Sequence, residues 1–145
     1  MRIELFYSYL VVFLLLMGGC SNLEKAKEVR VIGQLKPPEE GQYHMYAYFN
    51  FPNGFPSESE MEKTEDENLQ CQYEVYETMN EKLQLEKLHV FGVRKKEHVQ
   101  EQIEVLNIDK FPTFIVLDNT GVLLQTSDMS EVDAFLRHIP SIEDR

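Results

Sequence analysis

The stretch that decides the fold reads KFPTFIVLDNTGVLLQT and runs from Lys110 to Thr126. Phe114–Leu117 is almost wholly apolar and rich in β-branched residues, which predicts a short strand buried on both faces. Asp118–Gly121 is a turn cluster and Val122–Thr126 predicts a second strand, so the two strands form a hairpin. Pro112 stands just before the first strand, where its missing N–H least disturbs the ladder of backbone hydrogen bonds.

A helix is predicted directly after this hairpin. The segment Ser130–Asp133 supplies a hydroxyl cap and carboxylates in the first turn, where the backbone dipole stabilises negative charge. The apolar positions follow the spacing i, i+3, i+4 and i+7, which is typical of one buried helix face. They are Val132, Phe135, Leu136 and Ile139, and Pro140 ends the helix.

Upstream of the hairpin, predicted strands alternate with predicted helices. Tyr43–Phe51 is aromatic and apolar without a helical period, which predicts a buried strand. Leu88–Val93 predicts the next strand, followed by a solvated basic cap at Arg94–Lys96, and Glu97–Leu106 predicts a short helix. Asn68–Lys87 predicts a long helix whose inward face is formed by Leu69, Tyr73, Tyr76, Met79 and Leu83.

The predicted order is β-α-β-α-β-β-α, an α/β fold with a mixed sheet of about four strands and flanking helices. Strands joined through helices are expected to pair in parallel, and the final hairpin adds an antiparallel edge. Residues 20–41 are predicted to form a polar tether that holds one additional edge strand at Val29–Ile32. The folded domain is then expected to cover residues 42–145.

Length and charge narrow the classes of function. A chain of 145 residues has room for one domain. Its formal net charge is −11, which argues against nucleic acid as a partner and against electrostatic docking to anionic lipid or wall polymer, because like charges repel. An acidic surface is also a common means of keeping a protein soluble, so the charge alone names no partner.

From about Gln42 to Ile139 the chain resembles a thioredoxin-like domain. The matching features are the aromatic first strand, Phe-Pro-Thr at 111–113, the Asp-Asn-Thr-Gly hairpin turn and the capped last helix. The resemblance implies that the peptide bond before Pro112 is cis and that this proline faces the loop after the first strand. Members of the family that act as oxidoreductases carry Cys-x-x-Cys in that loop, where one thiol attacks and the second resolves the mixed disulfide.

The loop after the first strand departs from that family pattern. Asn50–Pro56 holds no sulfur, and Cys71 lies within the following helix as a lone thiol. A single thiol has no partner with which to complete a dithiol–disulfide cycle. We therefore expect no catalytic residues, no cofactor and no oxidoreductase activity of the family's kind.

The N-terminus reads as a targeting segment rather than as part of the domain. Residues 1–19 contain Arg2, an apolar run at Leu5–Met17 and two glycines before Cys20, which is typical of a signal peptide. The ending Leu-Met-Gly-Gly-Cys resembles the bacterial lipoprotein box, which implies cleavage before Cys20 and attachment of diacylglycerol to its sulfur. The chain would then sit on the extracytoplasmic face of the cell membrane. An ordinary signal peptide with a chance cysteine, or an uncleaved anchor, is the alternative.

Three hypotheses for function follow from these patterns. The first is a lipid-anchored, non-redox accessory protein of the cell envelope that binds a protein or peptide partner around Phe51, Phe55, Pro112 and Thr113, since exposed aromatic residues on loops are favoured interface anchors. The alternative for Phe51 and Phe55 is that both rings pack inward as part of the core. The second is a single-thiol redox protein that uses Cys71, and the third is a structural lipoprotein associated with peptidoglycan. No metal site is predicted, because the spacing of the four histidines, His44, His89, His98 and His138, matches no metal-ligand pattern.

Overall fold

A computed structural model describes residues 22–144, of which residues 22–35 form a helix, α1, ahead of the sheet. The strands are β1 (His44–Phe49), β2 (Val90–Lys95), β3 (Thr113–Asp118) and β4 (Gly121–Thr126). The later helices are α2 (Glu58–Met61), α3 (Glu67–Lys82), α4 (Gln100–Val105) and α5 (Met129–His138). Single 3₁₀ turns cover Leu85–Lys87, Lys96–His98 and Ile142–Asp144. The predicted signal segment and Cys20 lie outside the described residues.

The four strands form one mixed sheet in the order β2-β1-β3-β4. β1 pairs with β2 in parallel and with β3 antiparallel, and β3 pairs antiparallel with β4 across the predicted hairpin. Asp118 shapes the hairpin turn, because its Oδ1 accepts hydrogen bonds from the N–H groups of Thr120 (2.7 Å) and Gly121 (3.2 Å). The peptide bond between Phe111 and Pro112 is cis, as the resemblance implied. The predicted thioredoxin-like α/β fold is therefore confirmed.

The expectation that every helix-linked strand pairs in parallel is wrong for β3. β3 runs opposite to β1, so it starts at the end of the sheet where β2 stops. The connection between β2 and β3 holds only the six-residue helix α4 and a 3₁₀ turn. Six helical residues span about 9 Å, whereas a strand of that length spans about 20 Å, so this helix is too short to return the chain to the opposite end.

Each face of the sheet buries its own hydrophobic core. Alternate residues of β1 point to opposite faces, as in any strand. Met45, Ala47 and Phe49 pack with residues of α3 and α5 on one face. Tyr46 and Tyr48 pack on the other face with residues of α1 and α4. Because both faces are covered, the central strands β1 and β3 are almost entirely buried.

Helix α1 corrects the interpretation of the N-terminal stretch. The predicted edge strand at Val29–Ile32 is wrong, since these residues are helical, and Val31 and Leu35 are buried against the sheet. Residues four positions apart lie on the same side of a helix, so this pair forms the contact face. The Tyr46 hydroxyl donates to the carbonyl of Leu35 (3.2 Å), and Lys27 Nζ lies 2.9 Å from a carboxylate oxygen of Glu104 in α4. Part of the predicted tether therefore belongs to the folded unit.

Several boundaries shift by a few residues. α3 ends at Lys82 rather than at Lys87, and β2 takes in Arg94 and Lys95, which are half-buried rather than a solvated cap. α5 is capped by Asp128 instead of Ser130, because the Ser130 N–H donates to Asp128 Oδ1 (2.8 Å). Among residues 22–144, no helix combines the length and the apolar character needed to cross a bilayer.

Candidate binding site

Three connections meet at one end of the sheet, where β1 and β2 stop and β3 begins. The first turns of α3 reach the same end. Between them lies an open groove, which we call the Pro112 groove, lined by Asn50, Asn68, Cys71, Lys96, Asp109, Lys110, Phe111, Pro112 and Ser127. Binding sites of open α/β sheets commonly lie beyond the carboxyl ends of strands, and this groove has that location.

Phe51 is part of the core and not of the surface, so the prediction that it is exposed for binding is wrong. Its side chain is only 4% exposed, and its ring stacks on that of Phe49 with centroids 5.5 Å apart. The reason is the alternation of β1, which continues past the last paired residue: Met45, Ala47, Phe49 and Phe51 all enter the same core. That parity was present in the sequence and would have placed Phe51 inward.

Phe55 is the one aromatic residue of the Asn50–Pro56 loop that reaches the surface, with 37% of the residue exposed. Its ring stacks on Tyr76 of α3 with centroids 4.6 Å apart, and Lys95 Nζ lies 5.3 Å from the Phe55 centroid. Gly54, with a φ of +87°, allows the tight turn that precedes it. The ring of Tyr76 therefore holds the ring of Phe55 in place at the surface.

Pro112 and Thr113 shape the groove but contribute little exposed surface. Both residues are buried, although Pro112 still lines the groove. The Thr113 hydroxyl donates to the carbonyl of Lys110 (2.7 Å), which ties the segment before the cis peptide to the start of β3. Of the four predicted binding residues, only Phe55 is thus exposed to solvent.

Gln72 is a structural residue of the site that sequence reasoning missed. It is 1% exposed, its Oε1 accepts from the backbone N–H of Asn50 (2.8 Å), and its Nε2 donates to Asn68 Oδ1 (2.7 Å). The Asn68 amide in turn donates to the carbonyl of Phe111 at 3.5 Å. This chain links the end of β1, helix α3 and the cis peptide. A buried amide needs such partners, and its polar character explains why it was not assigned to the apolar face.

Cys71 is exposed, and it is unpaired within the described residues. The residue lies in the second turn of α3 and lines the Pro112 groove together with Lys96 and Pro112. The chain separation between residues 71, 96 and 112 hides this proximity in the sequence. An accessible thiol next to a proline-lined groove can reach the disulfide or electrophile of a bound molecule.

Three consecutive cations at the end of β2 lie over aromatic rings. Arg94 lies over Tyr46 with its guanidinium carbon 5.0 Å from the ring centroid, and Lys96 Nζ lies 5.5 Å from the centroid of Phe111. Lys95 lies over Phe55 and is also 3.9 Å from a carboxylate oxygen of Glu97. Such contacts hold the alkyl stems in place and give this end of an otherwise acidic chain a local positive charge.

The described residues contain no group of three side chains suited to hold a metal ion. His44 bonds to the carbonyl of Leu35 (2.9 Å), and the ring of His138 bonds to the carbonyl of Ala134 (2.6 Å). These two histidines therefore have structural partners at positions outside the Pro112 groove.

Comparison with known proteins found a likeness to a solved structure. No protein-family model matches the chain, and no curated protein matches it. The solution structure of oxidised thioredoxin from Plasmodium falciparum is similar, with 16% sequence identity and a TM-score of 0.42. The match covers 81% of this chain and 88% of that one. The fold assignment itself rests on the strand order and pairing described above.

Proposed function

We propose that this protein is a membrane-anchored, thioredoxin-like accessory protein of the cell envelope that binds an extended segment of a partner protein at the Pro112 groove without dithiol chemistry. The observation that carries the proposal is the contrast between two adjacent segments at this end of the sheet, the Asn50–Pro56 loop and the Lys110–Thr113 segment. The Asn50–Pro56 loop holds packed phenylalanines and no sulfur, while the groove beside it is open and lined in part by Phe111 and Pro112.

The lining of the groove suits an extended peptide. Asn50 offers an amide group beside the apolar surface of Phe111 and Pro112. Lys96 and Lys110 add positive charge at the same groove, and Asp109 is the single carboxylate among its lining residues. Phe55, at the same end of the sheet, provides an aromatic anchor of the kind enriched at interfaces.

A site-specific photo-crosslinking experiment tests this proposal. A photoreactive amino acid is placed at residue 55 or at residue 110 of the full chain expressed in its own membranes. The matched control is residue 123, because Leu123 on β4 is 43% exposed, close to the value for Phe55. We expect a discrete crosslinked partner from positions 55 and 110 and none from 123. Equal crosslinking from all three positions, or none from any, would contradict the proposal.

The anchor is tested separately through Cys20. Cys20→Ala should leave an uncleaved precursor and abolish partitioning into the detergent phase, because diacylglycerol attaches to that sulfur in proteins with the lipoprotein box. Mass spectrometry of the mature N-terminus provides the direct readout. A Cys20→Ala variant that is processed and partitions like the wild type rules out lipidation at this residue.

A second candidate function is single-thiol chemistry at Cys71, and the location of Cys71 in the Pro112 groove beside Lys96 favours it. The Cys71 thiolate would attack one sulfur of a partner's disulfide, forming a mixed disulfide and releasing the partner's other sulfur as a thiolate. A further thiol from solution would then free Cys71. Acid trapping of cells should reveal a mixed disulfide that Cys71→Ser abolishes while the photo-crosslinks from residue 55 persist.

The third hypothesis, a structural lipoprotein associated with peptidoglycan, stays a prediction. Its test is co-sedimentation with purified cell wall in detergent. Sedimentation that Phe55→Ser leaves unchanged would favour this role over partner binding at the groove.

A further inference from the structure

Helix α1 carries the two most exposed large apolar side chains among the described residues. Leu23 is 75% exposed and Val29 is 66% exposed, while the next such residues lie near 40%. Single exposed apolar side chains are ordinary on protein surfaces. Two on one helix, at the edge of the domain nearest the proposed anchor, call for a physical explanation.

The outward face of α1 is apolar with a basic margin. Buried Val31 and Leu35 define the inward side. At about 100° per residue, the side opposite them is centred on Ala26, Val29 and Gly33, with the polar Asn22 at its N-terminal end. Within residues 22–35, the carboxylates of Glu24 and Glu28 fall on the inward half, whereas Leu23, Lys25 and Arg30 fall on the outward half.

We propose that this outward face of α1 lies on the lipid surface and sets the orientation of the domain on the membrane. The inference rests on the anchor at Cys20 in the proposed function. Cys20 stands three residues before Leu23, so an extended chain places them within about 11 Å of each other. Val29 follows about 9 Å further along the helix axis. The face is therefore held within reach of the bilayer by the chain itself.

Charge favours a lipid surface over a second copy of this chain. The chain carries a net charge of −11, so two copies repel each other, and an anionic bilayer would be repelled as well; the lipid surface we propose is therefore one of zwitterionic headgroups. The outward half of α1 presents Lys25 and Arg30, and Arg30 also pairs with Glu101 of α4. An apolar helix face flanked by cations is the pattern of helices that lie in the headgroup region, with long basic side chains reaching the phosphates.

Depth-dependent quenching on vesicles tests this orientation. In a Cys71→Ser background, an environment-sensitive fluorophore is attached to Ala26→Cys or to the matched control Glu24→Cys. Both residues are exposed and stand within six positions of Cys20, but they point in directions about 160° apart on the helix. The lipidated full chain is reconstituted into vesicles of phosphatidylcholine that contain lipids spin-labelled near the headgroup.

We expect quenching at position 26 to exceed quenching at position 24 by about threefold or more. Leu23→Gln combined with Val29→Gln should reduce the value at 26 to that at 24, whereas Val122→Gln with Leu123→Gln on β4 should leave the difference intact. Equal quenching at both positions on vesicles that carry the protein overturns the orientation and leaves the anchor standing. Failure of the wild-type chain to float with the vesicles removes the anchor, and the orientation with it.

Discussion

The two segments that flank the Pro112 groove are built in opposite ways. The Asn50–Pro56 loop is held by rings: Phe51 stacks on Phe49, and Phe55 stacks on Tyr76. The Lys110–Thr113 segment is held by backbone geometry and hydrogen bonds, including the bond from the Thr113 hydroxyl to the Lys110 carbonyl. The comparison teaches that one segment at this end of the fold is fixed by aromatic packing and the other by polar contacts of its own backbone.

The sharpest test of that difference is truncation of the two loop phenylalanines one at a time. Phe51→Ala should lower the free energy of unfolding by about 3–5 kcal/mol, because a fully buried ring is lost and a cavity remains. Phe55→Ala should cost clearly less, since much of its surface is already in water. Urea denaturation of both variants measures the two values. Equal losses would show that the loop is one uniform core element.

Removing the amide that joins the two segments should have the next largest effect. Gln72→Ala leaves the N–H of Asn50 and the amide of Asn68 without their partner, which should cost about 1–3 kcal/mol of stability. Glu77→Ala, at an exposed position on the same helix, provides the control. Hydrogen exchange at the Asn50 amide should accelerate in Gln72→Ala. Unchanged exchange there would mean that Gln72 does not hold the end of β1.

A smaller loss of stability is expected when the Lys110–Thr113 segment loses its side-chain hydrogen bond. Thr113→Val keeps the shape of the side chain but removes its donor to the Lys110 carbonyl, which should cost about 0.5–1.5 kcal/mol. The crosslinking yield from residue 110 should fall with it, because the segment loses a restraint. Thermal unfolding and the crosslinking assay check the two parts. A stabilised variant would contradict the account of this segment.

The last effect, which appears at alkaline pH, is expected on the opposite face of β1, next to the same end of the sheet. Burial raises the pKa of the Tyr48 phenol well above its ordinary value, and the nearby Arg94 lowers it only in part. The unfolded chain therefore loses the phenolic proton at lower pH than the folded chain. Stability from this group is complete below about pH 10, the ordinary tyrosine value, and is lost as the pH rises above it. Tyr48→Phe should flatten this alkaline loss in a denaturation series, and an unchanged series would contradict the assignment.

Sequence reasoning predicted the structural features that are determined by residues close together in the chain. The apolar run before Asp118 and the turn after it predicted the β3–β4 hairpin, because both signals lie within a few residues of each other. Helix α1 was not predicted, because few of its residues are buried against the sheet and the apolar run Val29–Ile32 suits a short edge strand as well as a helix. The direction of β3 was not predicted correctly, because it depends on the length of α4 rather than on the residues of the strand itself.

The site was harder to predict than the fold, because its neighbours are distant in the chain. Gln72 reads as a surface residue until the N–H of Asn50 is found beside it. Cys71 and Lys96 share a groove only once β1, β2 and α3 are assembled. Phe51 was predictable from the alternation of β1, and only the run of prolines and glycine around it indicated an exposed loop.

Turnover of a protein disulfide tests the central claim most directly. Insulin reduction is followed with dithiothreitol as the electron source, comparing the mature chain with its Cys71→Ser variant and with a thioredoxin as the positive control. We predict that both forms of this protein leave the rate at the uncatalysed background, because the loop beside Pro112 holds no thiol pair. Reduction above that background by the mature chain, lost in Cys71→Ser, would contradict the claim and make Cys71 the reacting group.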